Sequence, residues 1–281
     1  MRERFFPVIL DGMPCPQSSS VLATPCSAEE AAIMGADTHE SFFAPMYITG
    51  ITTSTFDLAW ELSRKYELPA WSSVLAVAQT SGRGQLRREW VSPLGNLYAS
   101  FFLPLESSRL GDMASIAVGY CIREALHGMG IPTLLKWPND LLLCKRGQPQ
   151  GKLGGLLLEE REGRLLAGLG VNCRAAPGKD SLRKGTAVPA TALPAFDTPL
   201  CLFWKNLLTR IQETYGLQIK NALPETIQQL AEGCLAWKGL PVQTDDAEIT
   251  GTIAGLAADA SLLLETRTGL IAISSGSISP I

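Results

Sequence analysis

Residues 79–90 read Gln-Thr-Ser-Gly-Arg-Gly-Gln-Leu-Arg-Arg-Glu-Trp, residues 136–140 read Lys-Trp-Pro-Asn-Asp, and residues 151–157 read Gly-Lys-Leu-Gly-Gly-Leu-Leu. Each stretch follows an apolar run or lies within one, and each contains a cationic side chain. Backbone N–H groups can approach an anion closely at glycine, while Arg and Lys neutralise it. Together the stretches predict a pocket that holds a nucleotide phosphate against a carboxylate, as activation of an acid by ATP requires.

Each of these signals has a simpler explanation when it is taken alone. A Gly-Arg-Gly tripeptide is more often a surface turn than a phosphate loop, and Arg83 would then be a solvated loop arginine. Lys152 opens a buried apolar strand, where a lysine needs an anion, although a lysine at a sheet edge can also extend into solvent. The functional interpretation therefore depends on all three stretches occurring in order.

Composition excludes several classes of protein. The 281 residues are 46% hydrophobic, which is enough for a substantial core, and the net charge of −3 provides no field that attracts nucleic acid. The seven cysteines are odd in number and form no Cys-x-x-Cys pair, so reduced thiols are expected rather than a disulfide framework or a zinc site.

The sequence has neither a membrane span nor a convincing signal peptide, and the predicted location follows from this. No apolar run approaches the roughly 18 residues of a membrane span. The first residues contain basic side chains, but Pro7 and Asp11 interrupt the short apolar run that follows, which makes a poor signal peptide. We therefore expect a cytoplasmic protein without membrane contact.

Apolar runs predict the strands of a sheet. The run at 74–79 leads directly into the glycine loop, and the runs at 152–160 and 164–171 predict a hairpin around Glu162-Gly163. Residues 237–281 then alternate short apolar runs with turn residues, which predicts a small barrel.

Helical spacing predicts several helices between these strands. Ser54 or Thr55 can cap the first, whose apolar face carries Phe56, Ala59 and Trp60. Further helices are predicted at 113–129, at 200–211 and from Pro224 onward. Strands mixed with helices in this way predict an α+β fold.

In their order and spacing, the three stretches resemble the biotin protein ligase family, also called biotin–[acetyl-CoA-carboxylase] ligases. The resemblance extends to Gly168-Leu169-Gly170-Val171-Asn172, to Thr53-Ser54-Thr55 and to the C-terminal run, so it covers residues 46–281. It implies a mixed-sheet catalytic domain of the biotin/lipoate ligase type at 46–232, followed by an SH3-like barrel at 233–281.

Residues 1–45 are rich in Pro and Ser and are not basic. Some members of the family carry a DNA-binding helix-turn-helix domain at this end, which such a segment cannot readily form. We therefore expect a form without that domain, no specific DNA binding, and an N-terminal extension of unknown role.

The resemblance implies a reaction in two steps. The carboxylate of biotin attacks the α-phosphate of ATP, which is bound with Mg²⁺, and gives biotinyl-5′-AMP and diphosphate. A lysine on a biotin carboxyl carrier protein domain then accepts the biotin. Because two anions meet in the first step, positioning and charge neutralisation should carry catalysis rather than a protein nucleophile. Neither His39 nor His127 lies in a motif.

Other functions stay open at this point. A lipoate or octanoate protein ligase shares the fold class, although the Lys-Trp-Pro-Asn-Asp element with a trailing barrel argues against it. A catalytically weak biotin-binding module is the other alternative. Formation of a homodimer and the identity of the carrier are left open by the sequence.

The resemblance assigns catalytic roles to Lys152 and Arg83, which in the family reach the carboxylate and the phosphate of the intermediate. The biotin site that it implies comprises Ser54, Thr55, Phe56, Gln79, Arg83, Gly84, Gln85, Lys152, Gly154 and Gly168. Hydroxyl and amide groups provide the donors and acceptors that the ureido group of biotin needs. Helix capping is the rival use of Ser54.

The nucleotide site that the resemblance implies comprises Arg87, Arg88, Trp90, Lys136, Asn139 and Asn172. Trp90 would stack on adenine, with core packing as the alternative. Asn172 would lie near the phosphates and the metal, but no metal ligand is assigned directly. Asn139 and Asp140 can equally hold the turn after Pro138.

Two positions depart from the family pattern. Many members have Arg where Gln85 stands, so this loop carries one fewer positive charge unless Arg87 or Arg88 compensates. Phe56 stands where Asn is common. The first departure bears on how tightly the intermediate is retained, more than on whether it forms.

Overall fold

A computed structural model describes residues 5–10, 23–25, 44–85, 88–178, 188–244 and 248–281. The chain forms two compact units. The first comprises Met1–Leu105, Leu157–Val171 and Asp197–Thr209, and the second comprises Glu106–Leu156, Asn172–Phe196 and Arg210–Ile281.

The first unit is built on a mixed sheet. Its strands are β1 (Phe5–Leu10), β2 (Ala23–Pro25), β3 (Ala44–Thr52), β4 (Ser73–Gln79), β5 (Leu97–Phe102), the end of β8 (Gln148–Arg161) and β9 (Arg164–Val171), in the order β2-β1-β3-β4-β5-β9-β8. Strands β1, β3 and β4 are parallel, whereas β5 is antiparallel to both β4 and β9. The register places Gly168 opposite Ser100 and Gly170 opposite Tyr98.

Helix α1 (Thr55–Lys65) covers one face of this sheet. It begins at Ser54 because the Ser54 hydroxyl accepts a hydrogen bond from the Phe56 N–H at 3.3 Å. Its buried side chains pack against the sheet side chains, and this cluster contains Tyr47, Phe56, Ala59, Trp60, Leu62, Leu68, Val74, Phe102 and Leu166. Burial of these aromatic and aliphatic groups fixes the start of α1 over β9.

The second unit contains a hairpin that is formed by the Lys-Trp-Pro-Asn-Asp stretch. Strands β6 (Thr133–Lys136) and β7 (Asp140–Lys145) are antiparallel, and β7 also pairs with β8. Lys136 and Asp140 are directly opposite residues in this hairpin, so their side chains lie on the same face of the sheet. Helices α2 (Ala114–Gly128) and α4 (Pro224–Glu232) belong to the same unit.

The second unit ends in a separate five-stranded antiparallel sheet. Its strands are β10 (Pro241–Thr244), β11 (Thr250–Leu256), β12 (Leu262–Thr266), β13 (Gly269–Ile273) and β14 (Ile278–Pro280), in the order β13-β12-β11-β10-β14. Helix α3 (Leu200–Thr214) contributes Trp204 to the first unit, where the indole N–H of Trp204 donates to the Ser73 hydroxyl at 3.2 Å.

The α+β prediction with a mixed sheet is confirmed. The predicted hairpin around Glu162-Gly163 is also present, and both turn residues have positive φ values of 51° and 73°. Within the described ranges, no helix is long and apolar enough to cross a membrane.

Candidate active site

Three polar residues predicted for biotin meet at the start of α1 in the first unit. The Gln79 side-chain oxygen accepts from the Thr55 backbone N–H at 2.9 Å, and its amide nitrogen donates to the Ser92 hydroxyl at 3.0 Å. Ser54 and Thr55 are both buried. The structure therefore brings Ser54, Thr55 and Gln79 together, with Ser54 acting as the helix cap and Gln79 linking the cap to the segment after the glycine loop.

Arg83 lies beside the same helix end. Its Nη2 is 2.6 Å from the Asp57 carboxylate, its Nη1 is 3.6 Å from the Glu159 carboxylate, and its guanidinium carbon is 5.3 Å from the centre of the Phe56 ring. Neither carboxylate is among the residues singled out in the sequence. Asp57 and Glu159 are distant from Arg83 along the chain and belong to no motif, so no sequence signal could have paired them with it.

The described part of the glycine loop folds back on itself. The Gly84 N–H donates to the Arg88 carbonyl at 2.8 Å, the Arg88 N–H donates to the Gln85 carbonyl at 3.1 Å, and the Trp90 N–H donates to the Gly82 carbonyl at 2.9 Å. Arg87, which the resemblance assigns to the nucleotide site, lies outside the described residues. This backbone pairing places Trp90 over strand β9.

Two glycines on one face of β9 leave room for the aromatic side chains above them. A Cβ at Gly168 would overlap the Phe56 ring, and a Cβ at Gly170 would lie 2.6 Å from Cε2 and 2.7 Å from Nε1 of Trp90. Since side chains alternate along a strand, positions 168 and 170 share a face. Gly170 was not singled out as a site residue, although the spacing of the two glycines was a usable signal.

The second unit holds a buried cluster of two lysines on one carboxylate. Lys136 Nζ is 3.0 Å from Asp140 Oδ2, and Lys152 Nζ is 2.6 Å from Asp140 Oδ1. The Lys136 side chain is 6% exposed, that of Asp140 12% and that of Lys152 31%. In this lysine cluster, Lys136–Asp140–Lys152, two ammonium groups face one carboxylate.

The electrostatics of the lysine cluster keep Asp140 ionised. Burial raises the pKa of the Asp140 carboxyl, but the charges and hydrogen bonds of Lys152 and Lys136 outweigh burial and lower that pKa below its ordinary value. The lysines therefore share a fixed carboxylate at neutral pH. Lys152, the more exposed of the two, is the one able to meet an anion from solution.

The C-terminal sheet contributes to the same cluster within the second unit. Lys136 Nζ also donates to the Ser277 hydroxyl at 2.6 Å, and the Trp137 indole N–H donates to the Ala260 carbonyl at 2.9 Å. Ser277 precedes β14, and Ala260 precedes β12. The five-stranded sheet thus fixes the turn that carries Lys136 and Asp140, and Ser277 is a contact that the sequence did not suggest.

The two asparagines predicted for the nucleotide bond to the backbone of β8. The Asn139 amide donates to the Leu156 carbonyl at 2.5 Å, and the Asn172 amide donates to the Lys152 carbonyl at 3.4 Å. The Asn172 N–H also donates to the Leu153 carbonyl at 2.8 Å. Gly154 lies buried between these bonds, opposite Leu141. Both asparagines therefore hold in place the strand that presents Lys152.

A metal ion held mainly by protein carboxylates is not supported. In the described part of the chain, no three His, Cys, Asp or Glu side chains form a group that could hold a metal ion. Mg²⁺ bound with a nucleotide takes most of its ligands from phosphate oxygens and water, and needs only one or two protein oxygens.

Known proteins are similar to this chain in sequence. A profile of the Biotin/lipoate A/B protein ligase family matches residues 49–175. The biotin–[acetyl-CoA-carboxylase] ligase of Paracoccus denitrificans is 30% identical over 241 residues, which cover 78% of this chain and 93% of that protein. The bifunctional ligase/repressor of Bacillus subtilis is 34% identical over 138 residues, which cover 45% of this chain and 40% of that protein.

Solved structures agree with the sequence comparison. The biotin protein ligase of Aquifex aeolicus in complex with biotin and ATP superposes with a TM-score of 0.63 and 26% identity, covering 84% of this chain and 98% of that one. The Leishmania major biotin protein ligase in complex with biotin shares the fold, with a TM-score of 0.56 and 21% identity. With 30% identity to a relative of which 93% is covered, this chain belongs to the biotin protein ligase family.

Proposed function

We propose that this chain activates biotin with ATP to biotinyl-5′-AMP and then transfers the biotin to a lysine of a biotin carboxyl carrier protein domain. The family supports the reaction, and the observation that carries it is the positive charge of two ammonium groups held on the buried Asp140 carboxylate. A site for the meeting of two anions needs such a charge in a place that excludes water.

The first step joins biotin to the nucleotide. A carboxylate oxygen of biotin attacks the α-phosphorus of ATP, a new C(O)O–P bond forms, and the bond to the bridging oxygen of diphosphate breaks. No proton moves, so the protein has to neutralise and align charge rather than act as a base. Lys152 suits this role because its ammonium group is held in place by Asp140 and is still a third exposed.

The second step transfers the acyl group. The neutral amine of the carrier lysine attacks the carbonyl carbon of the mixed anhydride, an amide bond forms, and AMP leaves with the electron pair of the C–O bond. The amine loses one proton as the amide forms. AMP leaves as an anion, so the cations that assist the first step assist this departure as well.

Biotin recognition is assigned to the first unit's helix end and glycine loop. We place the ring system near Ser54, Thr55, Phe56 and Gln79, with Gly84, Gln85 and Gly168 close by. Lys152 and Gly154, which belong to the second unit, are the residues that we assign to the biotin carboxylate. Because the Gln79 oxygen accepts from the backbone N–H and the hydroxyl of Thr55, and its amide nitrogen donates to Ser92, its remaining amide hydrogen is what it can offer to the ureido oxygen.

Nucleotide recognition is assigned to Trp90, Arg87, Arg88, Lys136, Asn139 and Asn172. Trp90 would stack on adenine above Gly170. Asn139 and Asn172 would act mainly by holding β8, since their amides bond to its backbone. Asn172 would hold the Mg²⁺ ion through its side-chain oxygen, and the ion would supply charge neutralisation at the phosphates when bound.

Domain boundaries and location complete the proposal. We assign the catalytic domain to 46–232, an SH3-like barrel to 233–281 and an extension without assigned role to 1–45. The close spacing of the five C-terminal strands supports the barrel. The cytoplasm is the proposed location, because the reaction consumes ATP.

The direct test combines the protein with ATP, Mg²⁺, a carrier domain and one of several acids, and then weighs the carrier. We expect a gain of one biotinyl group with biotin, and no gain with lipoate, with octanoate or without an acid. Labelling of the carrier by lipoate instead of biotin would show that the chain is a lipoate protein ligase.

Replacing Gln85 by arginine should slow the loss of biotinyl-5′-AMP from the protein. A charge-assisted hydrogen bond worth about 1.5–3 kcal/mol would replace a neutral one worth about 1 kcal/mol, so release should slow by about two- to thirtyfold. The measurement is the dissociation rate of preformed adenylate, together with labelling of lysines on an unrelated protein.

Gln85→Met, a neutral residue of similar length, is the control for this prediction. It should release the adenylate at least as fast as the natural protein. Equally slow release from the natural protein and from Gln85→Arg would show that Arg87 or Arg88 already compensates for Gln85.

Replacing Gly170 by alanine should raise the KM for ATP about tenfold, because the added Cβ displaces the Trp90 indole and stacking on a base is worth about 1–3 kcal/mol. The KM for biotin should change little. Gly50→Ala is a matched control, since a Cβ at Gly50 on β3 meets no atom within 4 Å. An unchanged KM for ATP in Gly170→Ala would remove Trp90 from the nucleotide site.

A further inference from the structure

We infer that Asp57 and Glu159 are positioning residues for Arg83, which fix its guanidinium so that its Nε–H meets an oxygen of the bound biotin or its adenylate. The inference rests on the proposed function. The inference goes beyond the proposed function by naming two carboxylates that no motif contains. It also changes the role of Arg83 from a source of surplus charge to an oriented hydrogen-bond donor.

Three contacts fix the guanidinium plane. Asp57 Oδ1 lies 2.6 Å from Nη2, Glu159 Oε2 lies 3.6 Å from Nη1, and the Phe56 ring centre lies 5.3 Å from Cζ. The five N–H donors of arginine form a rigid planar fork, so fixing both Nη groups also fixes the direction of Nε–H. The Phe56 ring is itself held against Gly168, where a Cβ would overlap it.

The Nε–H group of Arg83 takes part in none of these three contacts. It is buried, and it has no hydrogen-bond partner among the described residues. Buried donors in folded proteins are nearly always paired, so one without a protein acceptor points to an acceptor on a ligand. A carboxylate or phosphate oxygen is the acceptor that arginine binds most strongly.

The local charge balance supports a directional role. Glu159 also pairs with Arg161, whose guanidinium lies 5.0 Å from the centre of the Trp60 ring. The two arginines and the two carboxylates cancel. The group around Arg83 therefore carries no surplus charge, so the contribution of Arg83 comes from the direction of its Nε–H.

The kinetic test replaces the carboxylate and keeps its shape. Asp57→Asn should raise the KM for biotin about fivefold, which is the upper range of the effect of a partly exposed ion pair. It should change kcat by less than about twofold. Asp57→Glu should restore most of the loss. Glu61→Gln is the matched control, because Glu61 lies on the same helix and pairs with Lys65 at 2.7 Å.

A double-variant cycle separates positioning from a general effect on folding. In an Arg83→Gln background, Asp57→Asn should have no further effect on the KM for biotin. Additive effects of the two changes would overturn the inference. A lower KM in Asp57→Asn would overturn it too, because Asp57 would then be a competitor of the substrate for Arg83.

An NMR measurement tests the inference without relying on activity. The ¹⁵Nε–Hε signal of Arg83, identified by its loss in Arg83→Gln, should be sharp and slow to exchange, and it should broaden in Asp57→Asn/Glu159→Gln. An unchanged signal in the double variant would overturn the positioning role, whereas absence of biotin-dependent diphosphate release from the natural protein would instead refute the proposed function.

Discussion

Replacing Lys152 by alanine is expected to slow formation of biotinyl-5′-AMP by about 10²–10³-fold, which corresponds to the loss of about 2.7–4 kcal/mol of transition-state stabilisation from one preorganised donor. Lys152 Nζ lies 2.6 Å from Asp140 and is the more exposed member of the lysine cluster. The measurement is the rate of biotin-dependent diphosphate release in a single turnover.

Folding should tolerate this change. Asp140 keeps Lys136 as a partner at 3.0 Å, so no buried carboxylate is left without a cation. Lys65→Ala is the control, since Lys65 is an exposed lysine in an ion pair on α1. Unchanged diphosphate release from a folded Lys152→Ala variant would remove Lys152 from the catalytic residues.

Elements with strong local signals were predictable from the sequence. The cap at Ser54, the apolar face of α1 and the hairpin around Glu162-Gly163 depend on residues close together in the chain, and each is present in the structure. Strands β3 and β7 were not predicted. β7 holds the short run Leu141–Cys144, and such a run has no period that separates a strand from a buried helical turn.

For the candidate site, the sequence predicted the residues that lie in motifs but not their partners on other elements. The sequence singled out Arg83 and Lys152 but did not pair them with the carboxylates that hold them, because a partner from another element depends on the fold. Asp57 reaches Arg83 across 26 positions in the chain. Asp140 faces Lys136 because of the hairpin register, which the sequence did not specify.

Replacing Asp140 by asparagine is the second large effect that we expect. Asparagine keeps the shape but leaves two ammonium groups beside each other, and Lys136 is 6% exposed. Removing one partner of a buried pair typically costs about 3–5 kcal/mol, and the partial exposure of Lys152 reduces this to about 2–4 kcal/mol of unfolding free energy. Urea unfolding should show a lower midpoint with an unchanged slope.

The pH dependence of this loss follows from the lowered pKa of Asp140. Burial raises that pKa, and the two lysines lower it by more. A carboxyl whose pKa is lowered by folding stabilises the protein at any pH above the pKa that it has in the unfolded chain. This contribution is lost as the pH falls through the pKa that it has in the folded protein. The difference between the natural protein and Asp140→Asn should thus stay constant from about pH 5 to 8 and shrink below about pH 4.

The effect of Asp140→Asn on stability can be separated from its effect on catalysis by replacing the buried Lys136 as well. If the uncompensated charge of Lys136 causes the loss, Asp140→Asn/Lys136→Met should regain most of the unfolding free energy, because apolar groups can replace a buried ion pair at little cost. Diphosphate release should stay slow, by about tenfold or more, because Lys152 lacks the carboxylate that holds it in place. If the double variant is less stable than Asp140→Asn, then Lys136 stabilises the fold through its Ser277 contact instead, and the cluster is a structural brace rather than an anion site.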